Sequence, residues 1–254
     1  MKTILILAAC GLFIGLSCSK SSSPGTPPPN IHLTNGLLVY LPFSGNLADS
    51  SGNNNVVTAI SGSGLGADKS GNANSALSQT TLGQYLTVTN NGSIKFDTAF
   101  TVSFDVMLTS QQQHSYAALV DNATSQSFSF LLESNPATQF STIALVANAN
   151  YTCNSYIANS NTTLDNSNFV PQIGIWYNII FEFHKGNLTY YVNGHEVSYN
   201  EGGQTAISIC PGSKLTVGGW WTNDPQSVLG KMDNFRLYNR VLTSDEIGAL
   251  SKGF

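Results

Sequence analysis

Oxygen-bearing side chains at two distant places in the chain could bind a hard cation. Asp49 and Asn53 lie in a polar, glycine-containing loop, and Asp233 lies in an apolar segment near the end of the chain. Asp233 shares strand parity with Phe235 and Leu237, so it points inward if those two side chains pack inward. A buried carboxylate needs hydrogen-bond donors or a metal ion, and Ca²⁺ prefers oxygen ligands. Asp49, Asn53 and Asp233 therefore predict a structural calcium site. The alternative is that Asp49 forms an Asx turn and Asp233 accepts backbone N–H groups.

A pair of tryptophans beside a polar loop could bind a sugar. Aromatic faces stack on pyranose rings, and amide or carboxylate groups bind sugar hydroxyls. Neighbouring residues on a strand point to opposite faces, so at most one of the two tryptophans is expected in the core. The alternative is that both are packing residues. The candidate ligand-binding residues are Trp220, Trp221, Asn223, Asp224 and Gln226.

Catalytic patterns are missing from the sequence. Glycoside hydrolysis needs two carboxylates at a set separation, but Glu182 stands beside His184, and the nearest acids, Glu196 and Glu201, lie beyond a hairpin. No G-x-S-x-G or H-E-x-x-H motif occurs, and the four histidines show no metal-ligand spacing. We therefore predict that the protein is not an enzyme, with glycoside hydrolase as a less favoured reading.

The four cysteines divide into two pairs by position. Cys10 and Cys18 belong to an apolar N-terminal segment, whereas Cys153 and Cys210 lie in the body of the chain. An even pair outside the cytoplasm predicts a disulfide. In the chain-entropy model it stabilises the fold by about 3–4 kcal/mol. A zinc site is not expected, because no C-x-x-C or histidine cluster accompanies either cysteine.

Period-two alternation predicts about a dozen short strands. In residues 100–108, apolar side chains alternate with mostly polar ones, and Asn193-Gly194 predicts a tight hairpin. Residues 148–172 look irregular. The clearest helical signal is a capping box that starts at Thr243. These patterns predict an all-β fold, a two-sheet antiparallel jelly-roll sandwich with one short C-terminal helix. The predicted strands include 37–43, 85–89, 116–120, 128–132, 143–147, 179–183, 188–192, 195–199, 207–210, 214–217 and a closing strand from 230.

The N-terminus predicts export. Lys2 precedes an apolar run too short for an ordinary membrane span. The run ends in Gly15-Leu16-Ser17-Cys18, which resembles a bacterial lipobox in which Cys18 is lipidated. The alternative is a plain secretory signal. We predict a signal peptide over residues 1–17, a Ser/Pro-rich tether over 18–36 and a folded domain over 37–254. The predicted location is the bacterial cell envelope, lipid-anchored at the outer membrane, on either the periplasmic or the surface face.

Composition narrows the classes of partner. The chain has 254 residues, a formal net charge of −4 and 9% charged residues, against about 25% in an average soluble domain. Nucleic acid is not an expected partner, because binding it requires a basic face. Asn, Ser, Thr and Gly take the place of charged residues, and this suits neutral, hydroxyl-rich ligands.

Several ordered segments resemble a known family. They are Leu38–Asn46 with Asp49–Asn53, Phe100–Phe104, Trp176–Gly194 and Gly230–Leu242. In this order they are similar to a laminin-G-like or concanavalin A-like jelly-roll domain. The fold hosts lectins, adhesion modules and hydrolases, so it is weak evidence for function. The resemblance also implies a structural calcium between the first loop and the last strand, as some relatives have.

Together the residues and the resemblance predict a non-catalytic binding module anchored to the envelope, with carbohydrate as the leading ligand class. The alternative is a protein-interaction or adhesion module, or a structural subunit of a surface complex. The expected partners are a glycan or an envelope protein, and the membrane through the N-terminal lipid.

Overall fold

Strands make up most of the part of the chain that the structure, a computed structural model, describes. That part comprises residues 31–121, 127–134, 136–147, 153, 162–201, 205–220 and 226–253. Besides the strands it contains a 3-10 turn, Pro136–Thr138, and one α-helix, α1 Ser244–Lys252. The strands are β1 Leu37–Leu41, β2 Val56–Ile60, β3 Gly64–Gly66, β4 Ala76–Gln79, β5 Tyr85–Thr89, β6 Ala99–Leu108, β7 His114–Val120, β8 Phe128–Ser134, β9 Thr142–Ala147, β10 Thr162–Asn166, β11 Trp176–His184, β12 Asn187–Val192, β13 His195–Asn200, β14 Lys214–Val217 and β15 Gly230–Tyr238.

These strands form two antiparallel sheets. The first sheet has the order β13-β12-β11-β6-β15-β4-β3, and β1 also pairs with β15. The second sheet has the order β10-β9-β8-β7-β14-β5-β2. Neighbours in space are often distant in sequence, as β6 and β15 are. The predicted jelly-roll sandwich is confirmed.

The core lies between the sheets and includes two aromatic side chains of β6. Phe100 and Phe104 are fully buried, and the Phe100 ring stacks on Phe130 of the opposite sheet, with 4.8 Å between ring centroids. The polar residues that alternate with them, Thr101 and Asp105, are buried as well. The outer face of the first sheet is therefore covered at β6, although the polar composition of this face is typical of a solvated surface.

Helix α1 covers part of that outer face. Its Ile247 and Leu250 belong to an apolar cluster with Ile180 and Tyr238 of the sheet. The predicted capping box is present, since the Thr243 side chain accepts from the Glu246 N–H group and Glu246 bonds back to the Thr243 backbone. The described residues contain no helix long and apolar enough to cross a membrane.

A β-bulge in β15 overturns the predicted orientation of Asp233. The pairing of β15 with β6 shifts register between Asp233 and Arg236, and Asn234 has a left-handed φ of 52°. Met232, not Asp233, joins the core beside Phe235. The extra residue reverses the alternation at this point, so the Asp233 carboxylate lies on the outer face of the first sheet.

Other differences from the expected strands have local causes. Residues 207–210, predicted to form a strand, have no regular structure. β2, β3 and β4 were missed because they lie in a stretch rich in glycine, serine and asparagine, and β10 was missed in an asparagine-rich one. The compact unit that contains the sandwich runs from Ile31, and Arg240 donates to the carbonyls of His32 and Asn35 within the predicted tether.

Candidate functional site

The Asp49 loop is satisfied by its own hydrogen bonds. One Asp49 carboxylate oxygen accepts from the backbone N–H groups of Tyr40 at 2.9 Å and Ser51 at 3.0 Å. The other accepts from the Ser51 hydroxyl at 2.8 Å and from the Asn55 backbone and side-chain amides. This is the Asx-turn alternative. These bonds fasten the loop to β1, and protein donors satisfy both carboxylate oxygens of Asp49.

The other two predicted calcium ligands have different neighbours. The Asn53 side-chain amide donates to the carbonyls of Leu37 and Leu38. Asp233 accepts from the Asn234 N–H group at 2.7 Å and pairs across the sheet with Asp105. Asp49, Asn53 and Asp233 are thus engaged with separate partners. The residues fit a shared calcium cage poorly, and the calcium site stays a prediction.

The two described members of the tryptophan-loop set are buried. Trp220 is 7% exposed, and its ring packs edge-on against Phe128, with 5.9 Å between centroids. Gln226 is also buried, and its backbone carbonyl accepts from the Ser115 backbone N–H group at 2.9 Å. Trp220 is therefore a packing residue. The remaining candidates, Trp221, Asn223 and Asp224, lie outside the described residues, as does the proposed lipidation site Cys18.

Glu182 has a structural role. The residue is 6% exposed, and its carboxylate accepts from the Leu242 N–H group at 2.7 Å and the Thr101 hydroxyl at 3.2 Å. Burial raises the pKa of Glu182. The side chain ties β11 to β6 and to the segment that leads into α1, and both its partners belong to the fold.

The predicted disulfide is confirmed between Cys153 and Cys210, whose Cα atoms are 5.7 Å apart. Cys210 is buried and Cys153 is exposed. Asp121 lies close to both sulfur atoms, and these three side chains form a potential metal-ligand cluster within the described chain. Because both sulfur atoms are bonded to each other, the cluster does not offer thiolate ligands.

An open groove of about 700 Å³ lies beside this disulfide. One wall comes from residues 90–97 and the other from residues 207–212, which include Cys210. The volume falls within the roughly 300–1,000 Å³ of small-ligand sites. Sequence reasoning missed it because more than a hundred residues separate the walls. The local signal was the alternation of apolar Ile94 and Phe96 with charged Lys95 and Asp97.

Both walls of the groove are fixed by hydrogen bonds. The Asn90 side chain accepts from the N–H groups of Gly92 and Ile94 at 2.9 and 3.1 Å. The Ile207 N–H group donates to the Asp97 carbonyl at 2.7 Å and joins the walls. The Cys210 carbonyl accepts the Ser213 hydroxyl at 2.7 Å. These hydrogen bonds hold both walls of the groove in place.

Charged and apolar side chains line the groove in separate places. Lys95 and Asp97 are exposed on the rim. Ile94 and Ile207 are buried beneath them, and Phe96 and Ile209 are half-buried and pack against the core. The rim can exchange hydrogen bonds with hydroxyl groups, and the floor can contact carbon and hydrogen atoms of a ligand.

Comparison with solved structures finds the same fold in several proteins of low sequence identity. The binding domain of Paraclostridial Mosquitocidal Protein 1 aligns with a TM-score of 0.65 and 15% identity, covering 87% of this chain and 52% of that one. Domain 4 of AbnA, a GH43 extracellular arabinanase from Geobacillus stearothermophilus, in complex with arabinotriose, aligns with a TM-score of 0.60 and 17% identity over 85% and 98%. The botulinum neurotoxin serotype D ligand binding domain in complex with N-acetylneuraminic acid gives 0.60 and 12% over 87% and 51%.

These identities establish the fold alone, and the chain spans about half the length of the toxin domains it matches. No curated protein matches the chain in sequence. A family model described as the Concanavalin A-like lectin/glucanases superfamily matches residues 79–248, which is more than half of the chain. The matched range runs from the end of β4 into α1 and contains both walls of the groove. The chain therefore belongs to the Concanavalin A-like lectin/glucanases superfamily.

Proposed function

We propose that the protein is a non-catalytic carbohydrate-binding module held at the bacterial cell envelope by a lipid on Cys18. The observation that carries the proposal is the preformed groove between residues 90–97 and 207–212. Its polar rim and apolar floor match the two kinds of surface that a sugar presents, hydroxyl groups and C–H faces.

Lys95 and Asp97 are the residues to which we assign hydroxyl recognition. Within the described residues neither takes part in an ion pair; the pairs found there join Lys69 to Asp105 and Arg240 to Glu246. One Asp97 carboxylate oxygen accepts from the Thr98 N–H group, and the other is available to accept from a ligand. An ammonium donor and a carboxylate acceptor on the same rim suit neighbouring hydroxyls of one sugar.

Structural neighbours support a binding role. They include a binding domain of a toxin, an arabinanase domain in complex with arabinotriose and a neurotoxin ligand binding domain in complex with N-acetylneuraminic acid. Glu182 is the strand-face carboxylate that was weighed as a catalytic acid or base. Its hydrogen bonds to Leu242 and Thr101 give it a structural role, and this supports a non-catalytic module.

A glycan microarray with the full chain in detergent micelles tests the proposal. We expect a discrete set of glycans to bind, and Lys95→Ala to weaken that binding. Lys252→Ala, at an exposed lysine of α1, is the matched control and should bind as the wild type does. An array without hits would reject the carbohydrate proposal. Trp221→Ala reports separately whether the tryptophan loop contributes.

Lipid attachment has its own test. Labelling of growing bacteria with a fatty-acid analogue should mark the wild-type protein and not Cys18→Ser. If the wild type is cleaved but stays unlabelled, the plain secretory signal is correct.

A protein-interaction module is the second candidate, and one observation favours it. The connection between β10 and β11 exposes three apolar side chains, Val170, Ile173 and Ile175, at 40%, 56% and 47%. Neighbouring exposed apolar side chains mark protein contacts in other proteins. Cross-linking on intact cells, compared with Ile173→Ser, tests this role: loss of one specific cross-linked envelope protein in the variant would support it.

A further inference from the structure

Residues 31–36, the entry segment, lead into β1 and are fastened to the domain by Arg240. The Nε group of Arg240 donates to the Asn35 carbonyl at 2.8 Å, and its Nη2 group donates to the His32 carbonyl at 3.1 Å. Leu33, which lies between these two residues, packs against the apolar cluster that contains residues of α1. The entry segment is thus held by backbone hydrogen bonds and by an apolar side chain.

Glu246 holds the Arg240 side chain in this position. Each carboxylate oxygen of Glu246 accepts one N–H group of the guanidinium at 2.7 Å, and Nη1 also donates to the Val241 carbonyl at 3.0 Å. All five N–H donors of Arg240 therefore have acceptors. Glu246 is 2% exposed, and the hydrogen bonds from Arg240 lower the pKa of Glu246 to about 2, so the pair stays charged at neutral pH. A lysine, with three donors on one nitrogen, cannot make the same set of bonds.

Without this fastening, a pull on the N-terminus would act on β1 itself. β1 pairs with β15 in antiparallel order, and the pair nearest the entry segment joins Leu37 to Tyr238. Side chains of the Asp49 loop bond to the other side of β1. A load that enters at Leu37 would break the strand pairs one after another. The bonds of Arg240 come before Leu37 along the chain, so they take the load before it reaches the strand.

From this geometry we infer that Arg240 and Glu246 form a mechanical clamp, which keeps a pull on the N-terminal tether from peeling β1 away from β15. The bonds from Arg240 to the His32 and Asn35 carbonyls take the load, and Glu246 keeps the guanidinium in place. The inference rests on the proposed anchoring through Cys18, because an anchored module that holds a glycan is loaded between its anchor and its groove.

Hydrogen exchange on the full chain in micelles tests whether the clamp holds the entry segment. We expect the amides of residues 32–35 to exchange at least tenfold faster in Arg240→Met than in the wild type, because local opening no longer breaks the guanidinium bonds. Lys69→Met is the matched control. It removes the ion pair between Lys69 and Asp105, which does not involve the entry segment, so residues 32–35 should exchange as in the wild type.

Single-molecule pulling measures the mechanical role directly. One handle is attached at the N-terminus and the other at position 214, whose lysine side chain is exposed. The first extension event should occur at a lower force in Arg240→Met than in the wild type, and release of residues 31–41 lengthens the chain by roughly 36–40 Å. Arg240→Lys keeps the charge beside Glu246 and should give an intermediate force. This variant decides the question if Arg240→Met does not fold, and Lys69→Met should match the wild type.

The outcomes separate this inference from the proposed function. An equal first force in the wild type and in both Arg240 variants would overturn the clamp and leave anchoring and carbohydrate binding intact. That holds even if the entry segment exchanges faster, because Arg240 would then order the segment without bearing load. A wild-type protein that takes up no fatty-acid label would overturn the anchoring, whatever force the clamp withstands.

Discussion

Asp233 and Asp105 lie directly opposite each other on neighbouring strands of the first sheet, 6% and 2% exposed. The Lys69 ammonium is 3.1 Å from Asp105, and the Asn178 amide donates to the same carboxylate at 2.9 Å. Burial, assisted by the charges of Asp105 and Asp68, raises the pKa of Asp233 to about 7. One lysine thus faces two buried carboxylates, and the second of them favours its neutral form.

This pair predicts a pH dependence of stability. The folded pKa of Asp233 lies above its ordinary value of 3.8. The protonated group therefore contributes stability that is complete below about pH 4 and is lost as the pH rises through 7. Asp233→Asn cannot ionise, so it should become more stable than the wild type above pH 7, by about 2 kcal/mol.

Denaturant unfolding from pH 4.5 to 8.5 measures this difference. Comparing variant with wild type cancels other titrations, such as that of His114, whose pKa burial lowers to about 4. Glu196→Gln, at an exposed carboxylate, is the matched control and should show a constant offset. Parallel curves for Asp233→Asn and the wild type would contradict the assignment.

Glu182 should stabilise the fold through one oxygen atom. Both the Leu242 N–H group and the Thr101 hydroxyl donate to its Oε1. Glu182→Ala leaves a buried backbone donor without a partner, so we expect a loss of about 2–3 kcal/mol of unfolding free energy. Glu182→Gln keeps an acceptor oxygen and should lose less than half as much. Equal losses in urea unfolding would show that the hydrogen bonds are not the cause.

The disulfide should support both stability and the groove. Cys153→Ser with Cys210→Ser should lower the unfolding free energy by about 3 kcal/mol, since the denatured chain regains its freedom. The same change releases the wall that contains Cys210, so ligand affinity should fall even at temperatures where the variant is folded. Urea unfolding and glycan titration of the variant measure the two effects. Unchanged affinity in a folded variant would show that hydrogen bonds alone hold the wall.

Calcium binding remains a proposal that a titration can decide. If Asp233 helps to hold the ion, calcium at 100 times its dissociation constant should stabilise the protein by about 2.7 kcal/mol, and Asp233→Asn should abolish the shift. A melting temperature that is the same in calcium and in chelator would reject the site. Asp49→Ala should destabilise the protein under both conditions, because the Asx-turn donors lose their acceptor.

Local sequence patterns predicted the strands, the turn and the helix. The positions of the candidate site residues depend on pairing between segments that are distant in sequence. The alternation of Phe100 and Phe104, the Asn193-Gly194 turn and the Thr243 capping box each depend on neighbours within a few residues, and all are present. Asp233 was placed on the wrong face because a bulge inserts one residue into the alternation, and bulges leave no reliable mark in the sequence.

The groove was not predicted from the sequence for a different reason. Its walls, residues 90–97 and 207–212, meet because β5 and β14 are paired in the second sheet, and neither wall has a motif of its own. Trp220 and Trp221 drew attention because aromatic residues are common in sugar sites. In the structure Trp220 packs with Phe128. The alternation of residues along a strand did not tell which of the two tryptophans would pack.

The central claim is tested most directly by isothermal titration of the array glycan that binds best. The titration compares the wild type with a double variant that carries both Lys95→Ala and Asp97→Asn. We predict that the double variant binds at least tenfold more weakly, that its melting temperature changes little because both side chains are exposed on the rim, and that Lys252→Ala binds like the wild type. Wild-type affinity in the folded double variant would contradict the assignment of the groove as the carbohydrate site.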